Sequence, residues 1–402
     1  MLSPQNPFRP GAGHPPPYLA GRDTEQKDFA TLLEQKPILQ NLVITGLRGI
    51  GKTVLMESLK PLAAQKQWAW VGTDLSESAA VSEEAFAERL LTDLSVFSAS
   101  IRIPSKKVQS IGFTGSTSSG EIHLNYLTLR AIFDHTPGLI SDKLRSVLEL
   151  VGTRAHAAGA AGIIFAYDEA QTMFDSPDEK QYPLALLLDV FQSIQRKGIP
   201  VMLLLTGLPA LFPKLVQART FAERMFGVIE LRPLSLEESR MAIREPFKLK
   251  AVPKEFCFSK DIVELIAKTS AGYPYFIQFI SKAVFDVCGT RPARVKWVVP
   301  INEIVKKLDQ EFFAGRWARV TDRQRDLIKI IARLPTANDE FTVQEISEKS
   351  LALKTGVQFF KPSQIVQMLA VLTERGLIYK DRHGKYVFAV PLFADFVRRL
   401  RE

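Results

Sequence analysis

A short apolar run, Asn41-Leu-Val-Ile-Thr45, breaks into Gly46-Leu47-Arg48-Gly49-Ile50-Gly51-Lys52-Thr53-Val54, and a helical pattern then resumes. No other stretch restricts the possible folds so strongly. The order reads as strand, tight loop, helix. Glycines let the loop backbone turn sharply, so that amide N–H groups and the positive end of the following helix converge on a polyphosphate. In that reading residues Gly46 to Val54 cradle the polyphosphate, Lys52 neutralises its β- and γ-phosphates, and Thr53 ligates Mg²⁺. The plain alternative is a glycine-rich turn before an ordinary helix.

A second stretch sharpens the first. Ile163-Ile-Phe-Ala-Tyr167-Asp168-Glu169-Ala-Gln171 is an apolar strand ending in adjacent carboxylates. A phosphate loop leaves Mg²⁺ short of ligands, and an acid at a neighbouring strand end, Asp168, holds the metal through water. Glu169, one residue on, faces the γ-phosphate side and polarises the attacking water as the catalytic base. Asp-Glu pairs more often cap a strand end as surface acids, and the loop upstream favours the metal reading here.

A chain of 402 residues exceeds one ordinary core and predicts two or three domains. With 46% hydrophobic and 24% charged residues it reads as soluble and globular. Cys257 and Cys288 lie in helical patterns without CxxC or histidine spacing, which predicts buried core thiols and no structural zinc. Prolines occupy the N-terminus where a signal peptide needs an apolar core, and no apolar run is long enough to span a membrane, so a cytoplasmic location is expected. The net charge of +9 is uneven: from Gly315 on, sixteen Lys/Arg face ten Asp/Glu. A basic terminal region suits nucleic acid or another acidic partner, with solvated charge as the alternative.

Along the chain, residues 1–20 form a Pro/Gly-rich extended arm, either a free tail or a strap lying across an adenine. Helices are expected over Val54–Gln67, kinked at Pro61, and over Ser82–Phe97, Gly138–Ala158 and Leu184–Lys197, with strands at Trp68–Val71, Pro200–Thr206 and Gly227–Leu231. Continuous apolar strands alternating with helices specify a parallel sheet whose ligand crevice lies at the strands' C-terminal ends, where Thr53, Asp168 and Thr206 fall. An insertion at about 104–130 interrupts this rhythm: Lys106 to Gly120 has a flexible composition, and the alternation Glu121 to Leu127 reads as a returning strand. Arg219 and Arg224 either cap a helix or reach a neighbouring subunit's γ-phosphate.

These motifs together resemble the AAA+ ATPases, in the prokaryotic branch shared by origin-recognition-like and STAND signalling ATPases. The resemblance covers roughly Pro7 to Phe313 and implies an α/β fold: a parallel-sheet P-loop core (21–234), a helical lid (235–316) and a C-terminal winged-helix domain (317–402). Gly46 to Thr53 match Walker A, Tyr167-Asp168-Glu169 Walker B, and Thr206 the first sensor. Gly21 and Arg22 match the motif beside the adenine, and Phe221-Ala-Glu-Arg224 matches the arginine-finger segment. Gly272 and Pro274 match the Gly-x-Pro element that here replaces a lid arginine. The resemblance implies ATP and Mg²⁺ as cofactors, hydrolysis to ADP and a homo-oligomer when ATP is bound. In the last domain, Gln364 and Gln367 would enter a DNA major groove while Lys380, Arg382 and Lys385 meet phosphate. The rival is a nucleotide-gated signalling or anti-phage defence switch whose winged helix binds protein or autoinhibits.

Overall fold

Three runs with no polar face, Asn41–Thr45 (β1), Gly162–Tyr167 (β5) and Val201–Gly207 (β6), are buried along their whole length. Such strands are stable only inside a parallel sheet covered on both faces. The computed structural model, which describes residues 5–11, 13–35, 40–72, 74–75, 82–104, 121–249, 257–288, 298–352, 360–382 and 384–400, places them there. Trp68–Val71 (β2) and Phe226–Glu230 (β7) complete a five-stranded sheet in the order β2-β5-β6-β1-β7. All its pairings are parallel, with Leu42 opposite Leu204 and Val43 opposite Val228. At the edge, β7 alternates buried and exposed positions, as a strand covered on one face should.

The chain divides into two units: one holds residues 23–45 and 55–230, the other residues 1–22, 46–54 and 231–402. The sheet unit carries α1 (Asp23–Leu32), most of α2 (Lys52–Gln65, with Pro61 inside it), α3 (Glu83–Ser98), α4 (Tyr126–His135), α5 (Ile140–Ala157), α6 (Pro183–Arg196), α7 (Leu211–Ala218) and α8 (Ala222–Met225). Ser82 caps α3 by accepting the Ala85 N–H. The insertion begins as an antiparallel pair, β3 (Arg102–Pro104) with β4 (Glu121–His123), and its tip, 105–120, lies outside the described residues. The strand expected through Leu127 stops at His123. Asn125 accepts the Thr128 N–H and starts α4, so the apparent alternation is the first turn of a helix.

The second unit is helical, with α9 (Leu236–Arg244), α10 (Lys260–Thr269), α11 (Pro274–Cys288) and α12 (Ile301–Leu308), which passes through a π-turn at Asp309–Phe313 into α13 (Ala314–Ala318). Ser235 with Glu238 forms a capping box at the start of α9, and Thr321 with Gln324 does the same for the helix that opens at Asp322. The terminal segment runs α14 (Asp322–Ala332), β8 (Phe341–Thr342), α15 (Val343–Ala352), α16 (Pro362–Glu374), β9 (Ile378–Arg382), β10 (Lys385–Phe388) and α17 (Phe393–Arg399). Its strands form a small antiparallel sheet in the order β8-β10-β9. In the hairpin, β9 continues to Arg382, which pairs opposite Lys385. Phe276, Phe312, Phe313 and Phe396 interlock with ring centroids 4.9–5.1 Å apart, so the helices on either side of residue 320 share one apolar core.

Two expectations change here. Cys257 is exposed and outside any helix, not a core thiol, and the side chain of Cys288 lies outside the described residues. The arm is not a free tail. Phe8, only 2% exposed, stacks on Phe258 and meets Phe247 edge-on, while Asn6 donates to the Lys282 carbonyl and the Asp286 carboxylate. Phe8→Ala is therefore expected to cost about 3 kcal/mol of stability, read as a lower denaturation midpoint. A midpoint equal to that of the wild type would mean that the arm does not anchor this unit.

Candidate functional site

The phosphate loop departs directly from the C-terminal end of β1 and has the backbone that its glycines predict. Gly49 and Gly51 sit at φ +77° and +96°, the left-handed region that residues with a Cβ rarely adopt. Nothing lies within 4 Å of a Cβ built on Gly51, so a side chain there would project into the loop's open side. Lys52 is 7% exposed, and its Nζ donates to the Gly46 and Leu47 carbonyls at 3.0 and 3.2 Å, folding the ammonium back over the loop.

Several sequence-predicted residues gather on this loop within the helical unit. Arg22, 6% exposed, donates through Nη2 to the carbonyls of Ile50 (3.3 Å) and Arg232 (3.1 Å) and through Nη1 to that of Gly21. Its guanidinium braces the loop. Gly272 accepts the Leu234 N–H, Pro274 opens α11, and the Tyr275 N–H donates to the Gly49 carbonyl at 3.2 Å. The Gly-x-Pro turn is thereby tied to the middle of the loop. The loop's tip is held by the terminal hairpin: Leu47 packs on Tyr379, Val387 and Ala389, and the Arg48 N–H donates to the Ala389 carbonyl at 3.3 Å. Burial, and then the neighbouring Arg48, push the Arg316 guanidinium down.

The sheet unit collects the acids. At the C-terminal ends of the neighbouring strands β5 and β6, the Thr206 hydroxyl donates to Asp168 Oδ1, which also accepts the Glu169 N–H at 2.7 Å. Asp168 is 2% exposed and Thr206 fully buried. Glu169 adopts a left-handed backbone, φ 52° and ψ 31°, which costs a non-glycine residue about 1 kcal/mol and recurs where function holds a side chain in place.

The two arginines separate cleanly. Arg219 makes a two-pronged ion pair with Asp189, at 2.8 and 2.6 Å. Arg224 is exposed at the end of α8 and has no ion pair among the described residues.

Three residues of this edge escaped the sequence reading. Asp74, just past β2, bridges Asp168 through the backbone, and the signal was the rule already applied to Asp168, an acid following a strand. Burial, then Asp168 and Glu169, raise its carboxyl above the ordinary value of 3.8. The folded state therefore holds this proton more tightly than the unfolded chain, so stability falls as pH rises through the window above 3.8. Asp74→Asn is expected to melt higher than the wild type at pH 8, with the gap closing as the pH falls through that window; an unchanged midpoint at pH 8 would contradict it. Gln171 and Lys214 are the others. The Gln171 side chain donates to the Glu169 carboxylate, and Lys214 Nζ donates to the Gln171 carbonyl at 2.9 Å. Burial lowers the Lys214 ammonium.

Residues 310–397 match a family model described as a domain of unknown function (DUF8462). No curated protein matches the sequence. Among solved structures, the Walker-type ATPase PABY2304 of Pyrococcus abyssi is similar with a TM-score of 0.60 at 17% identity, covering 99% of each chain. The ADP form of the Aeropyrum pernix ORC2 protein is similar with a TM-score of 0.53 at 13% identity, covering 97% of each chain. At such identities the likeness speaks for architecture alone, and the architecture is clear: the chain shares the fold of these two structures, a parallel five-stranded α/β sheet followed by a helical C-terminal region.

Proposed function

We propose that the chain binds ATP with Mg²⁺ and hydrolyses it, and that its nucleotide state is read by the C-terminal region as a winged helix. The observation that carries this is the order β5-β6-β1: three adjacent parallel strands end in Asp168-Glu169, in Thr206, and in Thr45 followed directly by the phosphate loop. The donor set suits the group. A loop whose glycines leave room for an anion, an ammonium, a hydroxyl at Thr53 and a fixed carboxylate at Asp168 are what a Mg–triphosphate requires.

In this reading Lys52 turns its Nζ from the loop carbonyls to the β- and γ-phosphates, while Gly46 to Val54 supply N–H groups to the same oxygens. Thr53 and Asp168 are the residues that would hold Mg²⁺, which when bound would draw charge from the phosphate oxygens. Glu169 accepts a proton from the attacking water, and Thr206 fixes Asp168 and orients the water beside it. Gly21 and Arg22, with Gly272 and Pro274, frame the adenine side. Arg224, exposed and without an ion pair among the described residues, serves as the finger toward a second copy, whereas Arg219 is committed to Asp189. Arg224→Ala should lower turnover roughly tenfold or more, and wild-type turnover in that variant would remove it from the reaction.

For the C-terminal region, duplex DNA is the partner we favour. Gln367, Lys380 and Arg382 are exposed, although Arg382 pairs with Glu340 at 2.5 Å and Lys385 is half-buried. Gel shifts with duplex DNA should weaken steeply between about 50 and about 200 mM salt. Binding that is absent, or indifferent to salt, sinks the DNA assignment. A gated switch is the second reading, supported by the hairpin's hold on Leu47 and Arg48. It expects slow turnover and a change of mass between ADP and a non-hydrolysable ATP analogue; the same monomer with both would count against it.

A further inference from the structure

A glutamate that polarises water must present its carboxylate in one orientation, and a side chain with free χ angles does so only if something holds it. Gln171 meets that need with both ends of its amide. Its Nε2 donates to the Glu169 carboxylate, and its Oε1 accepts the Leu208 N–H at 3.0 Å, from the residue immediately beyond β6. The Gln171 main chain is fixed as well: Lys214 Nζ donates to its carbonyl at 2.9 Å, and the Thr172 N–H and hydroxyl both close on the Glu169 carbonyl. Gly207 supplies an independent sign that the position is built, since a Cβ there would stand 2.5 Å from Gln171 Oε1 and 2.8 Å from Leu211 Cδ2. A Cβ at Gly207 would push the amide from its seat against the end of β6.

We infer that Gln171 is a positioning residue that ties the Glu169 carboxylate to the end of the Thr206 strand, so that Glu169 faces the reaction only while β6 is in register. The inference rests on the reading of Glu169 as the base. Glutamine suits the task because one planar group donates to a carboxylate and accepts from a main-chain N–H at once; glutamate keeps the acceptor and loses the donor.

The test uses the full chain, with steady-state ATP hydrolysis and equilibrium binding of a fluorescent ATP analogue. Gln171→Ala and Gln171→Glu should each lower kcat by about tenfold to about a hundredfold, the loss that misplacing a catalytic group brings, with analogue affinity within about twofold of wild type. Gly207→Ala should reproduce the loss, and Gln171→Ala should add nothing in a Glu169→Gln background. A mere structural tie to Leu208 would survive in Gln171→Glu, so wild-type kcat in that variant overturns the inference. Loss of analogue affinity equal to the loss of kcat overturns it too. A wild-type chain that hydrolyses no ATP, or a Glu169→Gln variant with full activity, shows instead that the base is misassigned, and the inference falls with it.

Discussion

Lys52→Ala is expected to abolish tight ATP binding, weakening affinity by at least about a hundredfold, which corresponds to about 2.7 kcal/mol or more. The side chain is nearly buried and already lies over the loop, with Nζ 3.0 Å from the Gly46 carbonyl, so little reorganisation separates its present contacts from a phosphate. An ammonium so placed meets charge from which water is largely excluded, and such charge-assisted hydrogen bonds are the strong ones. Calorimetric titration with ATP and Mg²⁺ reads the effect directly. A second readout is the ligand-induced rise in melting temperature, which should vanish in the variant because a ligand stabilises only the state that it binds. Affinity within threefold of wild type would remove the phosphate loop from the binding site.

Glu169→Gln should do the opposite to binding and almost as much harm to turnover. The amide keeps the shape of the carboxylate and is not expected to disturb the left-handed backbone at φ 52°, which depends on the main chain and on Asp168 accepting the Glu169 N–H. It cannot take a proton from water. Turnover should fall by about 10²–10³, with ATP retained on the protein. Single-turnover measurement of phosphate release separates this from slow product loss. Full turnover in the variant would transfer the role to another carboxylate, and Asp74 is the next along the same strand ends.

Most of the proposed chemistry was legible in the sequence, because such chemistry dictates residue types at fixed spacing. Gly46, Gly49, Gly51, Lys52 and Thr53 admit few other meanings between a strand and a helix, and β1, β5 and β6 are legible because strands buried on both faces are apolar through their middles. What stayed hidden depended on partners remote in sequence. Arg219 and Arg224 look alike until Asp189, thirty residues upstream, proves to hold the first. Arg22 could be matched to a motif, yet the carbonyls of Ile50 and Arg232 that it braces could not be read from its neighbours. The segment after His123 misled for a local reason: Asn125 caps a helix whose first turn imitates alternation. Gln171 was in plain view two residues past Glu169, but its use depends on Leu208 and on the missing side chain at Gly207.

Leu47 and Arg48 are set against Tyr379, Val387 and Ala389, so the tip of the phosphate loop rests on the hairpin β9–β10. A hand placed on that hairpin is a hand on the loop. By thermodynamic reciprocity, if the loop binds ATP as proposed, whatever grips the outer side of β9 and tightens or loosens that hold must itself be gripped more or less firmly by the same factor once ATP arrives. A partner sought by its effect on nucleotide exchange can therefore be sought equally well by the effect of nucleotide on its capture.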